Sequence, residues 1–525
     1  MGVGRTRSVA LSGMQGRMVE IEVDVSAGLP RTVLVGLPDT SLAESRDRCR
    51  AAVANSRLPW PDRKVTINLS PADLPKSGAS FDLGIALAVL ASQAYVPQDR
   101  LARAAVLGEL ALDGRLRAVA GVLPATVAAV AAGCEAVLVP EANAAEAALV
   151  PGARVVGVRS LCHAAALLRG EPEPSEPPVV EMSAIAVPFG DADRLEALDL
   201  ADVVGQDPGR AALVVAAAGG HHLMLTGPPG VGKTMLAHRL PGLLPDLDHQ
   251  QAMETAAVHS VAGLVSADAP LLRRPPFVDP HHTASAVALV GGGSRGIRPG
   301  AMSLAHHGVL FMDEAPEFRR DVLDALRQPL ESGRVTISRA AQTATFPAQF
   351  QLVLAANPCG CGERAEVGEA CSCLPVARRR YGERISAPVR DRIDLRLTLR
   401  SPSAQHRPGG GVTQRGTTER AQALVAEARA RQHRRWGEHG QRANAGVPGA
   451  VLREHGLVPD AEEALTSRVR RGRANARSVD RVVRVAWTVA DLLGHDRPCD
   501  DDVEAAWRLR DDAGLTETFL AEVLR

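Results

Sequence analysis

The stretch "HLMLTGPPGVGKT" holds residues spaced to do chemistry. An apolar strand from His222 to Leu225 runs into Gly227, Pro228, Pro229, Gly230, Val231, Gly232, Lys233 and Thr234, and a helix pattern, "MLAHRL", follows. Glycines at this spacing let backbone N–H groups turn inward around phosphate oxygens, and a helix N-terminus adds partial positive charge. Lys233 would reach the β- and γ-phosphates, and Thr234 would hold Mg²⁺. A chance glycine-rich turn has no reason to come with strand, loop and helix in that order. "GVLFMDEAPEF" supplies the acids such a loop needs. Val309 to Met312 read as a buried strand. Asp313 at its tip would bind Mg²⁺ through water, and Glu314 would polarise the attacking water. A third apolar run, "FQLVLAAN", ends in Asn357, whose amide would orient that water; the alternative is a turn-forming Asn before Pro358. The expected chemistry is ATP hydrolysis with Mg²⁺.

A second constellation follows directly. Of eight cysteines in the chain, four fall within residues 359–373: Cys359, Cys361, Cys371 and Cys373. Four thiolates suit tetrahedral Zn²⁺, although both pairs are Cys-x-Cys, tighter than the usual Cys-x₂₋₄-Cys. Gly360 and Gly362 would permit the sharp turn this demands. Disulfides are disfavoured because Cys49, Cys134, Cys162 and Cys499 are scattered singly, which suits a reducing cytoplasm. Redox pairs usually read Cys-x-x-Cys. One structural zinc is the expectation, since four cysteines leave no open coordination position for catalysis. Unligated cysteines remain the alternative.

These groups need elements to hold them. Residues 1–168 alternate strand and helix patterns and read as an α/β domain. "MVEIEVDV" places Val19, Ile21, Val23 and Val25 on one face, and "KVTINL" does the same with Val65, Ile67 and Leu69. "FDLGIALAVLA" and "PATVAAVAAG" read as helices, "EAVLVP" and "ARVVGV" as short buried strands. Residues 169–197 are rich in Pro and Glu and read as an exposed linker. Residues 198–400 then hold the nucleotide motifs, on what should be a parallel sheet, with the cysteine segment 359–373 as an insertion. Residues 401–417, with three consecutive glycines, read as a flexible linker, and 418–525 as a helical domain. Within it, "SVDRVVRVAWTVADLL" sets Val479, Val482, Val483, Ala486, Val489 and Leu493 on one stripe.

Composition narrows the class. Net charge is zero, so any nucleic-acid surface must be a local patch. Of 60 basic residues only three, Lys64, Lys76 and Lys233, are lysine; the other 57 are arginine. Aromatics are 3%, too few for extensive base-stacking platforms. "RVRRGRANARSVDRVVR" and "RARQHRR" are candidate phosphate-contacting runs; the alternative is a solvated helical face. No run of eighteen apolar residues suggests a membrane span, and no leader pattern opens the chain.

The three nucleotide elements resemble the AAA+ ATPases. More specifically, "PHHTASAVALVGGG", "RPGAMSLAHHGVLFMDEAPEF", "LVLAANPCGCG" and "RISAPVRDRIDL" are similar to the magnesium-chelatase-like branch known as the ComM/YifB family. "GLPRTVLVGLPDTSLAESRDRCRAAVANS" and "INLSPADLPKSGASFDLGIALAVLA" extend the resemblance to the first domain. It implies an N-terminal Lon-protease-like domain of ribosomal S5 domain 2-like α/β type, a AAA+ core and a helical lid. It also implies a homo-hexameric ring in which Arg392 is the arginine finger offered to a neighbour and Arg477 the sensor-2 arginine. A surface ion pair is the alternative for either arginine. Ala301 stands where relatives usually carry an acid, a change expected to touch a pore or subunit contact rather than the phosphate site.

In the Lon-like pattern Ser80 falls at the nucleophile position and Ala125 at that of the activating lysine. Lys76 belongs to the serine loop and is not the base, so the domain is not expected to be a protease. The resemblance favours DNA branch migration in uptake or recombination as the work done, so a DNA-translocating helicase is the expectation, with the scattered cysteines pointing to the cytoplasm. Two alternatives stay open: a magnesium-chelatase-type motor remodelling a protein partner, and a chaperone-like unfoldase. The Lon-like domain argues against a true chelatase subunit.

Overall fold

In the computed structural model, residues 2–35, 40–71, 79–175, 195, 197–293, 296–339, 342–361, 373–400, 417–470 and 476–524 are described. Most of the Pro/Glu-rich linker, the triple-glycine segment, Lys76 and Cys371 lie outside them.

The first sheet has seven strands in the spatial order Arg31–Val35, Lys64–Ser70, Gln15–Ser26, Gly4–Ser12, Ala104–Val106, Ala136–Pro140, Val155–Val158. It is mixed. Gln15–Ser26 is antiparallel to both its neighbours, and the last four strands run parallel. The period-2 reading holds, since Val19, Ile21, Val23, Val65, Ile67 and Leu69 are fully buried. Each such side chain contributes about 1.5–3 kcal/mol on leaving water. The helix Asp82–Ser92 is buried on nearly every face, so its apolar sequence shows no polar stripe. Its one charged side chain, Asp82, receives Arg48 Nε at 2.9 Å.

The second sheet is parallel, with five strands ordered Phe277–Val278, Val309–Met312, Gln351–Ala356, Leu223–Thr226, Leu395–Thr398. The Gln351–Ala356 strand therefore sits between the strand that feeds the phosphate loop and the one that ends in Asp313. Parallel strands buried on both faces read as continuous apolar runs, as "VLFM" and "QLVLAA" do. The helix expected over "MLAHRL" is broken. It runs Lys233–Ala237 and resumes at Leu240–Leu243, because Pro241 has no N–H to continue the ladder.

Helices Thr418–Trp436, Ala476–Leu493 and Asp500–Asp511 pack on this sheet's side of the molecule. Their apolar faces share one core with the strands, including Trp436, Val482, Ala486, Trp487, Leu223 and Leu395. The first domain is tied to the second through helix His249–Ala262. Gly121 N donates to Ser260 O at 2.8 Å and Leu123 N to Ser260 Oγ at 3.2 Å. Leu123, Val150 and Ala256 form a small shared core. Burial raises the Glu146 carboxyl at this seam, against hydrogen bonds from Ser260, Asn143 and the Leu123 N–H.

Candidate active site

The phosphate loop turns through left-handed glycines, Gly230 at φ +77° and Gly232 at φ +101°. Gly227 is needed for closeness instead: a Cβ there would meet Leu399 O and Val231 Cγ1 at 2.9 Å. Lys233 curls into the loop. Its ammonium donates to Gly227 O at 2.8 Å, Pro228 O at 2.9 Å and Asn357 Oδ1 at 2.9 Å. Burial lowers the Lys233 pKa, opposed by the nearby Asp313 and Glu314 carboxylates. Thr234 Oγ1 donates to Asp313 Oδ2 at 2.7 Å, and Asp313 Oδ1 accepts from Glu314 N at 2.8 Å. Three strand tips thus bring Lys233, Thr234, Asp313, Glu314 and Asn357 together. The donor set fits a nucleotide phosphate and Mg²⁺: one buried cation, a hydroxyl and a carboxylate already in contact, and a second acid beside them.

Glu314 has φ +50°, in the left-handed region. Non-glycine residues pay strain to be there, and such residues cluster at functional sites. Its Oε2 lies 3.4 Å from His282 Nδ1. Sequence reasoning did not single out His282, although it stands in the motif "PHHTAS". The reason for its position is topological. The Phe277–Val278 strand is the parallel neighbour of Val309–Met312, so the loop after it emerges beside the acid.

Arg392 and Arg477 do not join this cluster within the chain. Arg392 donates to Pro388 O at 2.6 Å and pairs with Glu331. Arg477 is exposed in the first turn of helix Ala476–Leu493. A different arginine of that helix, Arg481, binds the sheet, donating to Arg392 O at 2.8 Å and Asp394 Oδ1 at 2.5 Å. Burial alone would raise the Asp394 carboxyl; His221 and Arg481 hold it well below the usual carboxylate range.

The arginine runs fare differently from expectation. Arg429 donates to Ala217 O, Arg431 to Asp491 O and Arg435 to the Asp491 carboxylate. Arg468 pairs with Glu504, and Arg484 donates to Val447 O. Those five, with Arg481, are bonded within the fold, so among the described residues neither run presents a continuous row of free guanidiniums. Ala301 is also not a surface position: it is buried in the core under the Val309–Met312 strand.

Among the described cysteines, Cys359, Cys361 and Cys373 converge, their sulfurs all within 4.8 Å of one another. Cys359 Sγ lies 2.9 Å from Cys361 Sγ. The grouping of soft donors fits zinc. Gly360 lies in the bend and turn over residues 358–361, as the sequence suggested; a Cβ there would meet the Tyr381 ring at 3.1 Å, so close approach is also what it permits. Gly362 lies outside the described residues.

Ser80 and Ala125 do line one cavity of about 140 Å³, whose wall is completed by Val261, Ile297 and Arg298 from beyond the first domain. Arg298 is the sole titratable side chain on its described walls, and no base faces Ser80 there. No helix among the described residues is long and apolar enough to cross a membrane.

Comparison with known proteins agrees with this geometry. Residues 199–407 match the family described as magnesium chelatase, subunit ChlI, and 415–510 match its C-terminal family. Residues 21–143 match subunit ChlI of Mg-chelatase. An uncharacterized protein of Mycobacterium tuberculosis is 49% identical, covering 97% of this chain and 99% of the relative. Uncharacterized protein YifB of Escherichia coli is 39% identical and competence protein ComM of Haemophilus influenzae 38%, each covering 94% of both chains. Near-full-length identity, three matching families and a phosphate loop facing paired acids lead to one statement: the chain belongs to the ComM/YifB family of magnesium-chelatase-like AAA+ ATPases.

Proposed function

We propose that the protein is a ring-forming ATPase motor, hexameric when assembled, that translocates on DNA as a branch-migration helicase. The contact of Lys233 with Asn357, beside the Thr234–Asp313 pair, carries the ATPase part of the reading. Loop N–H groups and Lys233 hold the phosphates. Thr234 and Asp313 would hold Mg²⁺, which neutralises phosphate charge when bound. Glu314 accepts a proton from water that Asn357 orients, and His282 steadies Glu314. Arg392 would leave Glu331 to reach a neighbour's site, and Arg477 would close from the lid. The Cys359, Cys361, Cys371 and Cys373 set would hold a structural zinc beside Asn357.

The DNA part rests on kinship with a protein named for competence. The internal bonding of Arg429, Arg431, Arg435, Arg468, Arg481 and Arg484 favours a second reading, in which the motor remodels a protein partner without touching DNA. ATP hydrolysis with and without single-stranded and forked DNA separates the two, with branch migration on a four-way junction as the direct assay and Lys233→Ala as the control. Stimulation and salt-dependent binding support DNA; their absence leaves the second reading.

A further inference from the structure

Three groups of metal-type donors stand together among the described residues. The cysteine group is the zinc site already proposed. The second, Glu254 with His306 and His307, is not built for a metal. His306 Nδ1 accepts the Gln349 N–H at 3.1 Å, so the neutral ring carries its proton on Nε2, the atom that faces Glu254. That nitrogen has no lone pair to give.

The third group is His495, Cys499 and Asp502, and we propose that it is a second zinc site, in the corner between helices Ala476–Leu493 and Asp500–Asp511. Its donor atoms lie within 4.8 Å of one another. His495 Nδ1 is 2.9 Å from Asp502 Oδ2 and 4.0 Å from Cys499 Sγ. Both partners approach the same ring nitrogen. A nucleophilic relay needs the acid on one imidazole nitrogen and the thiol on the other, whereas three donors around one point are what a cation needs. One thiolate, one imidazole and one carboxylate select a borderline ion such as Zn²⁺ over Mg²⁺.

The surroundings support binding. Asp500, Asp501 and Asp502 fill the first turn of the helix and offset its positive end. Asp502 Oδ2 already accepts the Cys499 N–H at 2.9 Å, which fixes the carboxylate, and Oδ1 lies 3.2 Å from His495 Nδ1, within reach of a metal held by that nitrogen. Pro498 O accepts Val458 N at 3.1 Å, holding the loop in place. The His495 side chain is 42% exposed, which leaves an entry path and a fourth position for water. On binding, the Cys499 thiol proton goes to solvent, and His495 keeps one ring proton by moving it from Nδ1 to Nε2. The metal would brace the two helices that carry Arg481 and Arg510, both of which bond to the Ile393–Asp394 turn.

The test is zinc content of the full chain and of Cys499→Ser, His495→Ala and Asp502→Asn, purified without chelator. Asp502→Asn keeps an acceptor for the helix cap and so tests charge alone. Cys499→Ser should carry one zinc fewer per chain than the parent, whatever the 359–373 cysteines hold. Cobalt titration should lose one thiolate-to-cobalt band in the same variant. Affinity at this site should fall in His495→Ala by at least the roughly 10–100-fold that loss of a supporting residue costs other metal sites. Equal zinc in the parent and in a folded Cys499→Ser, checked by circular dichroism, overturns the site. Should Cys499→Ser not fold, an unchanged cobalt spectrum in His495→Ala does so instead.

Discussion

Arg481 holds Asp394 from another element of the fold: a guanidinium on helix Ala476–Leu493 donates at 2.5 Å to a carboxylate that is 2% exposed. The same guanidinium donates to Arg392 O at 2.8 Å, so this helix grips the backbone of the proposed arginine finger. Removing one partner of a buried pair strands the other charge. Arg481→Ala should cost about 3 kcal/mol of unfolding free energy, the low end for such a loss, because His221 and the His222 N–H still face Asp394. Urea unfolding measures it; a change within about 0.5 kcal/mol, as for an ordinary surface site, contradicts the pairing.

Asn357 contacts Lys233 but supplies no charge. Asn357→Ala should lower kcat by roughly 100-fold, the scale of one lost polar contact to a transition state, with little change in the affinity for a non-hydrolysable ATP analogue. Lys233→Ala should lose both. Equal loss of binding in the two variants would show that Asn357 only shapes the loop.

Arg392 can act only if it leaves Glu331 for another subunit. Homomeric Arg392→Ala should lose ~10³–10⁵ in hydrolysis rate. Mixing it with Lys233→Ala chains should restore part of the activity, since intact Lys233 sites then meet intact Arg392. No recovery on mixing means that the arginine does not act in trans.

His222 is partly buried, and desolvation pushes its pKa from 6.5 down to about 4, with Arg481 and His221 lowering it against Asp394. Its Nδ1 accepts the Leu352 N–H at 3.0 Å, so the folded state uses the neutral ring. The unfolded chain binds this proton below about 6.5 and the native chain only near 4. The stabilisation is therefore complete above 6.5 and is lost as pH falls through that window. The pH slope of urea stability between 7 and 5 should flatten in His222→Gln; an unchanged slope assigns it to other groups.

Cys359→Ser should remove one zinc per chain and leave the His495, Cys499 and Asp502 site loaded. Because four cysteines leave no open position for chemistry, hydrolysis should persist at reduced thermal stability. Complete loss of hydrolysis in a folded variant would give the metal a larger role.

The sequence by itself determined the nucleotide chemistry. Gly227 to Thr234 form one contiguous stretch whose spacing is the mechanism, and the acids at 313–314 close a single apolar strand. The strand faces were equally legible, because alternation from Val19 to Val25 is a local property. Tertiary structure decided what depends on distant partners. Asp394 and Arg481 are 87 residues apart, and nothing local marks them as a pair. His282 reaches Glu314 only because their strands are neighbours in the sheet. The arginine runs show the same limit. Composition counts guanidiniums, but burial and hydrogen-bond geometry decide which face inward: Arg429 is spent on a helix carbonyl, Ala217 O, while Arg477, in the same kind of stretch, stays exposed.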